Sequence, residues 1–440
     1  METTGAFKLG TRLIDAAFGA GFRQERFRIR AGDFASYGCG LPGNTGEAPA
    51  PPVALDADGN VIQLIGETTI CGHQGYPGYS PINARFGERD RPSYSAWSDF
   101  HHEVTPVWSL ETAVRWEQYE GAGDSATGML GTRLDLSPAA ALRATASTGF
   151  RAPSLPQLGF NTIVFSGSAE TGLSVSGHLE DGAARKYFGQ GRENLQHETS
   201  RSMSAGIVLT PHPDITLSAD AFWIRLEDRI TLTSYTTDCA GVDADGCASL
   251  SRERQLPPTI SDIKFYDNVV DTRTTGLDVV ARYDRGLFEG DLTLTGALHF
   301  NETEITEGRE SIGSATQSYI EKGNPRQRHR VAADWTGNPL DLHLGLNYYG
   351  KTVSQWLAFG EDCPGEASAA WITNASAGWR FESVRLSAGV DNAFDAYPDE
   401  INSSCSALLN DTRGWGVRYN PDVPYGLSGR IFWTRVDARF

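Results

Sequence analysis

The sequence has 440 residues, of which 48 are glycine and three are methionine, and its formal net charge is −17. This negative balance excludes a typical nucleic-acid partner, because phosphate binding requires clustered Lys and Arg. No apolar run reaches about 18 residues, which excludes a membrane-spanning helix, but a transmembrane β-barrel remains possible since only alternate residues of its strands need be apolar.

The N-terminal part of the chain predicts two strands followed by a long loop. Alternating polarity places the strands at 2–15 and 20–35, joined by AAFGA, and a Gly- and Pro-rich loop follows at about 36–91. Within the loop, VALDADGNVIQL predicts a small hairpin, because Asp-Gly and Gly-Asn favour the positive φ of a tight turn. Its acidic spacing leaves a calcium loop as the alternative, although the terminal Glu of such a loop is not at the expected offset.

The rest of the chain repeats one pattern, a strand with one apolar and one polar face. In LDLHLGLNYYG, Leu342 and Leu344 alternate with Asp341 and His343. Predicted strands lie at 92–104, 107–119, 127–137, 139–149, 196–210 and 215–231, with similar stretches at 291–301, 340–350, 384–392 and 426–440. The sequence therefore predicts one all-β architecture of about 15 antiparallel strands in a single domain, residues 1–440.

Connection lengths alternate between short and long along the chain. The long connections lie at about 36–91, 150–195, 232–268, 303–324, 356–368 and 393–426. In an antiparallel meander every second connection lies at the same rim, and outer-membrane barrels have short periplasmic turns and long extracellular loops. A soluble sandwich has no reason to sort its loops in this way. We therefore predict an antiparallel up-and-down transmembrane β-barrel.

All six cysteines fall in the long connections. An oxidising exterior permits disulfides there. The topology favours three pairs: Cys39 with Cys71, Cys239 with Cys247, and Cys363 with Cys405. A metal cluster is the alternative, and it would require Cys-x-x-Cys pairs or histidines at ligand spacing. We expect disulfides and no metal site.

Several stretches resemble the barrel of TonB-dependent outer-membrane receptors. They are TGFRAPSLPQL (148–158), ENLQHETSRSMSAGIVLTPHPDITLSADAFWIRLEDRI (193–230), TRTTGLDVVARY (272–283), GNPRQRHRVAADW (323–335), VDNAFDAYPDE (390–400) and PYGLSGRIFWTRVDARF (424–440). Asn194, Leu195 and Glu198 occupy places expected in that family. The order and spacing of these motifs carry the resemblance over about 90–440.

The resemblance implies a barrel of about 22 strands with an N-terminal plug inside it. It also implies uptake of a scarce nutrient, such as a siderophore, cobalamin or an oligosaccharide, with energy delivered by TonB. The plug, the TonB box, a signal peptide and roughly the first seven strands of that pattern are not found here. We expect the C-terminal part of a longer protein, with a truncated gene product as the alternative, and a chain that does not close a barrel alone.

The same resemblance names the partners. They are outer-membrane lipid, a small-molecule ligand, the TonB complex through the missing N-terminal region, and the outer-membrane assembly machinery. The assembly signal is the last strand, in which Phe432, Val436 and Phe440 share one face. No nucleic-acid partner is expected.

Catalytic motifs are absent from the sequence, so we predict a protein that is not an enzyme and needs no cofactor. His101 and His102 are adjacent and point to opposite faces of a strand, which argues against a shared metal. The alternatives to a transporter are a passive porin-like or surface-binding barrel and an outer-membrane enzyme with its site at the rim.

Charged residues on the predicted inner faces indicate a wet lumen, and some of them are expected to line the ligand path. They are Arg143, Asp220, Arg225, Arg282, Asp278, Asp334, Arg385 and Asp391. Three aromatic residues near the long loops are candidate ligand contacts: Trp356, Trp415 and Tyr419. Membership of the interfacial aromatic girdle is the alternative for them, and it is preferred for Trp356.

Overall fold

The computed structural model describes most of the sheet and parts of the long loops. Its described backbone covers residues 2–9, 12–28, 53–55, 61–64, 88–159, 162–168, 172–179, 194–236, 260–358, 364–401, 418–420 and 422–438. The six cysteines, Trp415 and Phe440 lie outside these ranges, and only the backbone of Trp356 is described. The predicted disulfides and the role of Phe440 therefore stay predictions.

The described residues form 21 strands, two short α-helices and one 3-10 turn at Arg309–Ser311. The strands are β1 (Glu2–Leu9), β2 (Arg12–Arg28), β3 (Val53–Leu55), β4 (Val61–Leu64), β5 (Glu88–Thr105), β6 (Trp108–Tyr119), β7 (Gly123–Ser137), β8 (Ala140–Arg151), β9 (Thr162–Ser168), β10 (Gly172–Leu179), β11 (Glu198–His212), β12 (Ile215–Thr236), β13 (Ile260–Leu287), β14 (Gly290–Glu307), β15 (Gln327–Thr336), β16 (Leu340–Tyr349), β17 (Thr352–Ala358), β18 (Pro364–Ala367), β19 (Ala370–Phe381), β20 (Val384–Asp391) and β21 (Ile431–Ala438). The helices are α1 (Leu155–Gly159) and α2 (Ser314–Lys322).

Fifteen of these strands form one antiparallel meander, in which each strand pairs with the next member of the set. The order is β1-β2-β5-β6-β7-β8-β11-β12-β13-β14-β15-β16-β19-β20-β21. The predicted up-and-down antiparallel sheet is confirmed. The total of about 22 strands in a closed barrel stays a prediction.

The two rims of the sheet differ in their connections. One rim, the short-turn rim, carries connections of two or three residues: 106–107, 138–139, 213–214, 288–289, 337–339 and 382–383; β1 and β2 also meet at this rim, where Leu9 pairs with Arg12. The other, the long-loop rim, carries one short turn, 120–122, together with the hairpins β3–β4, β9–β10 and β17–β18 and both α-helices. Chain alternation thus places the elaborate segments at one end of the sheet.

The two faces of the sheet differ in chemistry. Leu294, Ala333 and Leu344 are directly opposite one another on β14, β15 and β16, and the adjacent line of the same strands contains Asp334 opposite His343. We call the apolar side the outer face and the polar side the inner face. Large apolar side chains stay exposed on the outer face, including Leu294 at 40% and Leu344 at 49%. An exposed apolar band of this kind is typical of the outer face of a transmembrane barrel.

Aromatic residues mark the two edges of the apolar band. Toward the long-loop rim, Tyr348 lies 5.0 Å from Trp371 between ring centroids, while Leu340 lies opposite Trp379 toward the short-turn rim. The nine residues from 340 to 348, eight steps along the strand, span about 27 Å, or about 20 Å along the membrane normal for a tilt of about 40°. This height suits a hydrocarbon layer.

Among the described residues, no helix is long and apolar enough to cross a membrane.

The structure corrects two predictions: the position of the connection between β1 and β2, and the face of the sheet on which Arg225 lies. β1 ends at Leu9, which pairs with Arg12 at the start of β2, and AAFGA falls inside β2. Arg225 lies directly opposite Arg201 and Arg273 and shares the outer face with Trp223, not the inner face. It contacts Glu227 at 3.1 Å and Asp271 at 3.3 Å. Near the long-loop rim both faces of the sheet are polar, so a charged side chain there can lie on either face.

The strands extend further into the predicted loops than the sequence suggested. β12 continues to Thr236 and β13 begins at Ile260, so the loop predicted at 232–268 is shorter than expected. β10 runs parallel to the start of β13 and adds the β9–β10 hairpin to this extension. In the loop predicted at 303–324, β14 reaches Glu307 and α2 follows. The long-loop rim is therefore partly built from sheet.

Substitution of Leu294 by Arg tests the assignment of the outer face. We expect Leu294→Arg to lower the free energy of unfolding by about 2–4 kcal/mol in a bilayer, because a guanidinium near the midplane loses its hydration. Thr295→Arg is the matched control, since its side chain lies on the inner face and should cost less than about 1 kcal/mol. Denaturant unfolding from lipid vesicles measures both, and equal losses would contradict the assignment.

Candidate binding site on the inner face

Near the short-turn rim, the inner face is a belt of charges that neutralise one another. The Arg143 guanidinium donates to both Asp220 oxygens at 2.7 and 2.5 Å. This pair crosses an intervening strand at Gly206, where a Cβ would collide with the Asp220 carboxylate. The inward direction predicted for both residues is correct.

The belt continues over β16, β19 and β20. Arg380 and Arg385 are directly opposite each other, an arrangement that repels, and both contact Asp341, at 2.7 and 2.9 Å. The neighbouring His343 Nδ1 lies 2.6 Å from an Asp334 oxygen. These residues line a concavity of about 330 Å³. Among the described residues, this part of the wall is saturated by its own ion pairs.

At the long-loop rim, a buried arginine holds the segment that opens with TGFRAPSLPQL. Arg91 is 4% exposed and donates to Glu25 at 2.6 Å and to the Pro153 carbonyl at 2.6 Å. Its guanidinium also lies over the Tyr119 ring, 4.9 Å from the centroid. A paired, hydrogen-bonded guanidinium tolerates this burial. The start of the α1 segment is thereby tied to β2 and β5.

A second buried node holds the segment before β11. Glu198 is 7% exposed and accepts hydrogen bonds from Arg151 at 2.5 Å and from the Ile230 amide at 2.7 Å. The Asn268 side chain donates to the carbonyls of Gln196 at 3.1 Å and Asp228 at 2.6 Å. Three strands, β8, β12 and β13, are thus joined at one point. This gives Glu198, expected from the family pattern, a structural reason for its place.

His197 lies between these two nodes. Burial lowers the pKa of His197, and the nearby Arg91 charge lowers it further. Its ring packs 5.2 Å from Phe150 and 6.2 Å from Tyr119. The imidazole is therefore held in its neutral form at the base of the long loops.

Between the belt and the rim, the inner face of β15 carries two arginines that the sequence analysis did not single out. Arg328 lies between His299 and Tyr349 on the adjacent strands. Its guanidinium is 5.2 Å from the Tyr349 centroid, and Tyr349 in turn packs 5.7 Å from Tyr425. Burial is the main cause that raises the pKa of the Tyr425 hydroxyl, which stays protonated at neutral pH.

Arg330 is the second of these arginines. It lies two residues along β15, between Ala297 and Asn347. The sequence signal for the pair is the recurrence of Arg at i and i+2 in GNPRQRHRVAADW, and the strand register adds that the cross-strand neighbours are not acidic.

Tyr419, predicted as a ligand contact, and the histidine pair considered as a metal site lie in different parts of the structure. Tyr419 stacks on Tyr397 at 5.3 Å, and the Arg418 guanidinium lies 5.2 Å from its centroid, so neighbouring groups contact the ring. His101 is opposite Glu111 and His102 is opposite Leu110, so the prediction that they face apart is correct. No group of three or more His, Cys, Asp or Glu suited to a metal occurs within the described ranges.

The comparisons with known proteins agree on one family. A family profile described as TonB dependent receptor-like, beta-barrel matches residues 16–393. The ferric enterobactin receptor of Pseudomonas aeruginosa is 23% identical over 356 residues, which cover 79% of this chain and 42% of that protein. The chain therefore spans less than half the length of this curated relative.

Solved structures are similar in fold over the whole chain. The siderophore receptor PirA from Acinetobacter baumannii matches with a TM-score of 0.61 and 15% identity, over 100% of this chain and 54% of that one. The ferric-catecholate import receptor Fiu from E. coli matches with a TM-score of 0.57 and 14% identity, over 100% and 54% respectively. At these identities the likeness shows the fold alone.

Removal of the Glu198 carboxylate tests the buried node. We expect Glu198→Ala to cost about 1.5–3 kcal/mol, because it leaves the buried Ile230 amide and the Arg151 guanidinium without their acceptor. Glu304→Ala is the control, since its pair with Arg273 is solvent-exposed and worth less than about 1 kcal/mol. Denaturant unfolding measures both values, and a smaller loss for Glu198→Ala than for the control would contradict the node.

Acidification tests the environment of His197. A histidine with a lowered folded-state pKa contributes stability above its unfolded pKa of about 6.5, and this is lost as pH falls through the folded value. We expect amide protons near 150–159 and 194–197 to exchange faster below about pH 6.5 than the intrinsic pH dependence requires. His197→Phe keeps the ring contacts and should remove this excess. An unchanged excess in the variant would refute the explanation.

Proposed function

We propose, because this chain belongs to the TonB-dependent receptor family, that it forms part of the wall of a receptor that imports ferric siderophores. Membership of this family places the chain in the bacterial outer membrane as part of a transport receptor with a β-barrel fold. The siderophore as ligand and TonB as energy source are the proposed steps. The relatives carry the names of ferric enterobactin, siderophore and ferric-catecholate receptors, which supports the choice of ligand class.

The observation that carries the proposal is the two-faced sheet with one elaborate rim. An apolar outer face fits the hydrocarbon layer, and a charged inner face fits a wet lumen that a hydrophilic ligand crosses. The buried nodes at Arg91 and Glu198 fix loop segments at the long-loop rim, where an extracellular ligand first meets the receptor. Rigid support of this kind suits binding residues on loops.

Energy coupling and assembly are further parts of the proposal. We propose that TonB supplies the energy for uptake. The last strand is the proposed signal for the assembly machinery, with Phe432 at 74% and Val436 at 66% exposure on the outer face. Both side chains are accessible for recognition before the strand meets lipid. The chain is proposed to have no enzymatic activity.

Uptake by cells tests this function. The complete gene that encodes this chain is expressed in a strain without other catecholate receptors, and entry of a radioiron-labelled ferric tris(catecholate) is followed. We expect saturable uptake that is lost in a TonB-deficient strain and after collapse of the proton-motive force. Labelled cobalamin and an oligosaccharide are measured in parallel as alternative ligands.

The outcomes separate the predicted alternatives. Entry that is proportional to concentration and insensitive to uncoupling would support a passive barrel and contradict energised import. Saturable, energy-dependent uptake of cobalamin or oligosaccharide without the iron chelate would retain the receptor and reject the siderophore.

A further inference from the structure

Arg328 and Arg330 differ from seven other inner-face arginines of the sheet, each of which pairs with a carboxylate. Carboxylates pair with Arg115, Arg133, Arg143, Arg282, Arg380, Arg385 and Arg435. For Arg328 and Arg330, no carboxylate among the described residues lies within ion-pair distance. Both side chains are exposed. Two positive charges on one strand are therefore left without a local counter-charge.

The groups around the two arginines leave room for a ligand. Ala297 lies beside Arg330, and Ala332 faces Gly345 on the next pair of positions, so small residues border the Arg330 side chain. The nearest acidic group on the inner face of β13 is Asp278, whose carboxylate lies 2.5 Å from His299 Nδ1. That carboxylate is already engaged by the histidine. The space in front of Arg330 is bordered by small and neutral side chains.

Arg328 also contacts an aromatic ring. Its guanidinium carbon lies 5.2 Å from the Tyr349 centroid, a cation–π contact that favours this position of the group. Both ring nitrogens of the neighbouring His299 are engaged, with Nδ1 2.5 Å from an Asp278 oxygen and Nε2 2.9 Å from the Asn301 amide nitrogen. A planar guanidinium suits oxyanions.

We propose that Arg328 and Arg330 select negatively charged iron chelates by donating hydrogen bonds to their anionic oxygens. The two Cα atoms are about 7 Å apart along the strand, so the two guanidiniums reach neighbouring oxygens of one ligand. A ferric tris(catecholate) is triply negative, because three dianionic catecholates surround one Fe(III), whereas a ferric tris(hydroxamate) is neutral. The inference rests on the proposed function. It adds that the ligand is negatively charged and that Arg328 and Arg330 recognise this charge.

Binding to the purified receptor tests the proposal. The full receptor is titrated with ferric tris(catecholate) and with ferric tris(hydroxamate), and tryptophan fluorescence reports binding. We expect Arg328→Gln and Arg330→Gln each to weaken catecholate binding about tenfold, as expected for a lost charge-assisted contact, and the double variant to weaken it further. Any hydroxamate binding should change less than about threefold. Arg430→Gln, an exposed arginine beside the last strand, is the matched control and should bind like the wild type.

Two further measurements distinguish the effect of the arginine charge from the effect of the guanidinium geometry: the salt dependence of binding and the substitution of each arginine by lysine. The affinity of the wild type for the catecholate should fall with added salt, and the double variant should show a weaker salt dependence. Arg330→Lys should restore most of the affinity, while Arg328→Lys should restore less because the ammonium loses the planar contact with Tyr349.

The outcomes distinguish this inference from the proposed function. If the wild-type receptor binds the catecholate and the double variant binds it equally well, the selection by these arginines is refuted while the receptor function stands. If the variants lower the thermal midpoint without changing affinity, the two arginines pair with an acidic side chain of the receptor, which also overturns the inference. If the wild type binds neither chelate, both the inference and the siderophore function fail.

Discussion

The structure depends on the pairing of backbone amides and carbonyls between adjacent strands. In lipid an unpaired backbone group costs several kcal/mol, so a chain of this composition crosses only as a continuous sheet. Within such a sheet, successive side chains must point to opposite faces. Backbone pairing therefore places Leu344 on the outer face and its neighbour His343 on the inner face. An outer face suited to lipid takes apolar residues, and charged residues then go to the inner face or the rims.

Charge on the inner face is organised by height. Near the short turns, pairs such as Arg143 with Asp220 cancel one another across strands. At the long-loop rim, the buried Arg91 donates to the backbone carbonyl of Pro153 in a loop, and the buried Glu198 accepts from the Ile230 amide in β12. Between these levels lie Arg328 and Arg330, whose charge is not cancelled by the described residues. Three levels of the inner face thus differ in role: paired charges near the short turns, support of the loops at the long-loop rim, and the proposed recognition of the ligand between them.

The sequence predicted what periodicity controls. The outer direction of Leu342 and Leu344, the separation of His101 from His102 and the antiparallel meander all follow from the two-residue repeat, and the structure agrees. Periodicity failed where lipid no longer constrains polarity. Arg225 lies above the apolar band, where both faces are wet, and the predicted turn at AAFGA lies within β2 because small residues also suit a strand.

The candidate site was harder to predict because it depends on register. An inward arginine is recognised from alternation alone, but whether it has a partner depends on which residues lie opposite it on two other strands. His299, Tyr349, Ala297 and Asn347 become neighbours of β15 only after that register is known. Aromatic residues in loops, such as Tyr419, were chosen by composition, and composition does not report that Tyr397 and Arg418 contact the ring.

A shared barrel does not specify cargo, so cargo must be encoded in departures from the shared pattern. The pattern here is that an inner-face arginine has a carboxylate neighbour, because this neutralises charge at little cost in a wet lumen. A position that keeps the arginine and omits the carboxylate gives up that stabilisation. In a chain with net charge −17, acidic residues are abundant, so their absence beside Arg328 and Arg330 among the described residues is not explained by scarcity. Recognition of an anion supplies the missing counter-charge, and it does so only when the ligand is bound.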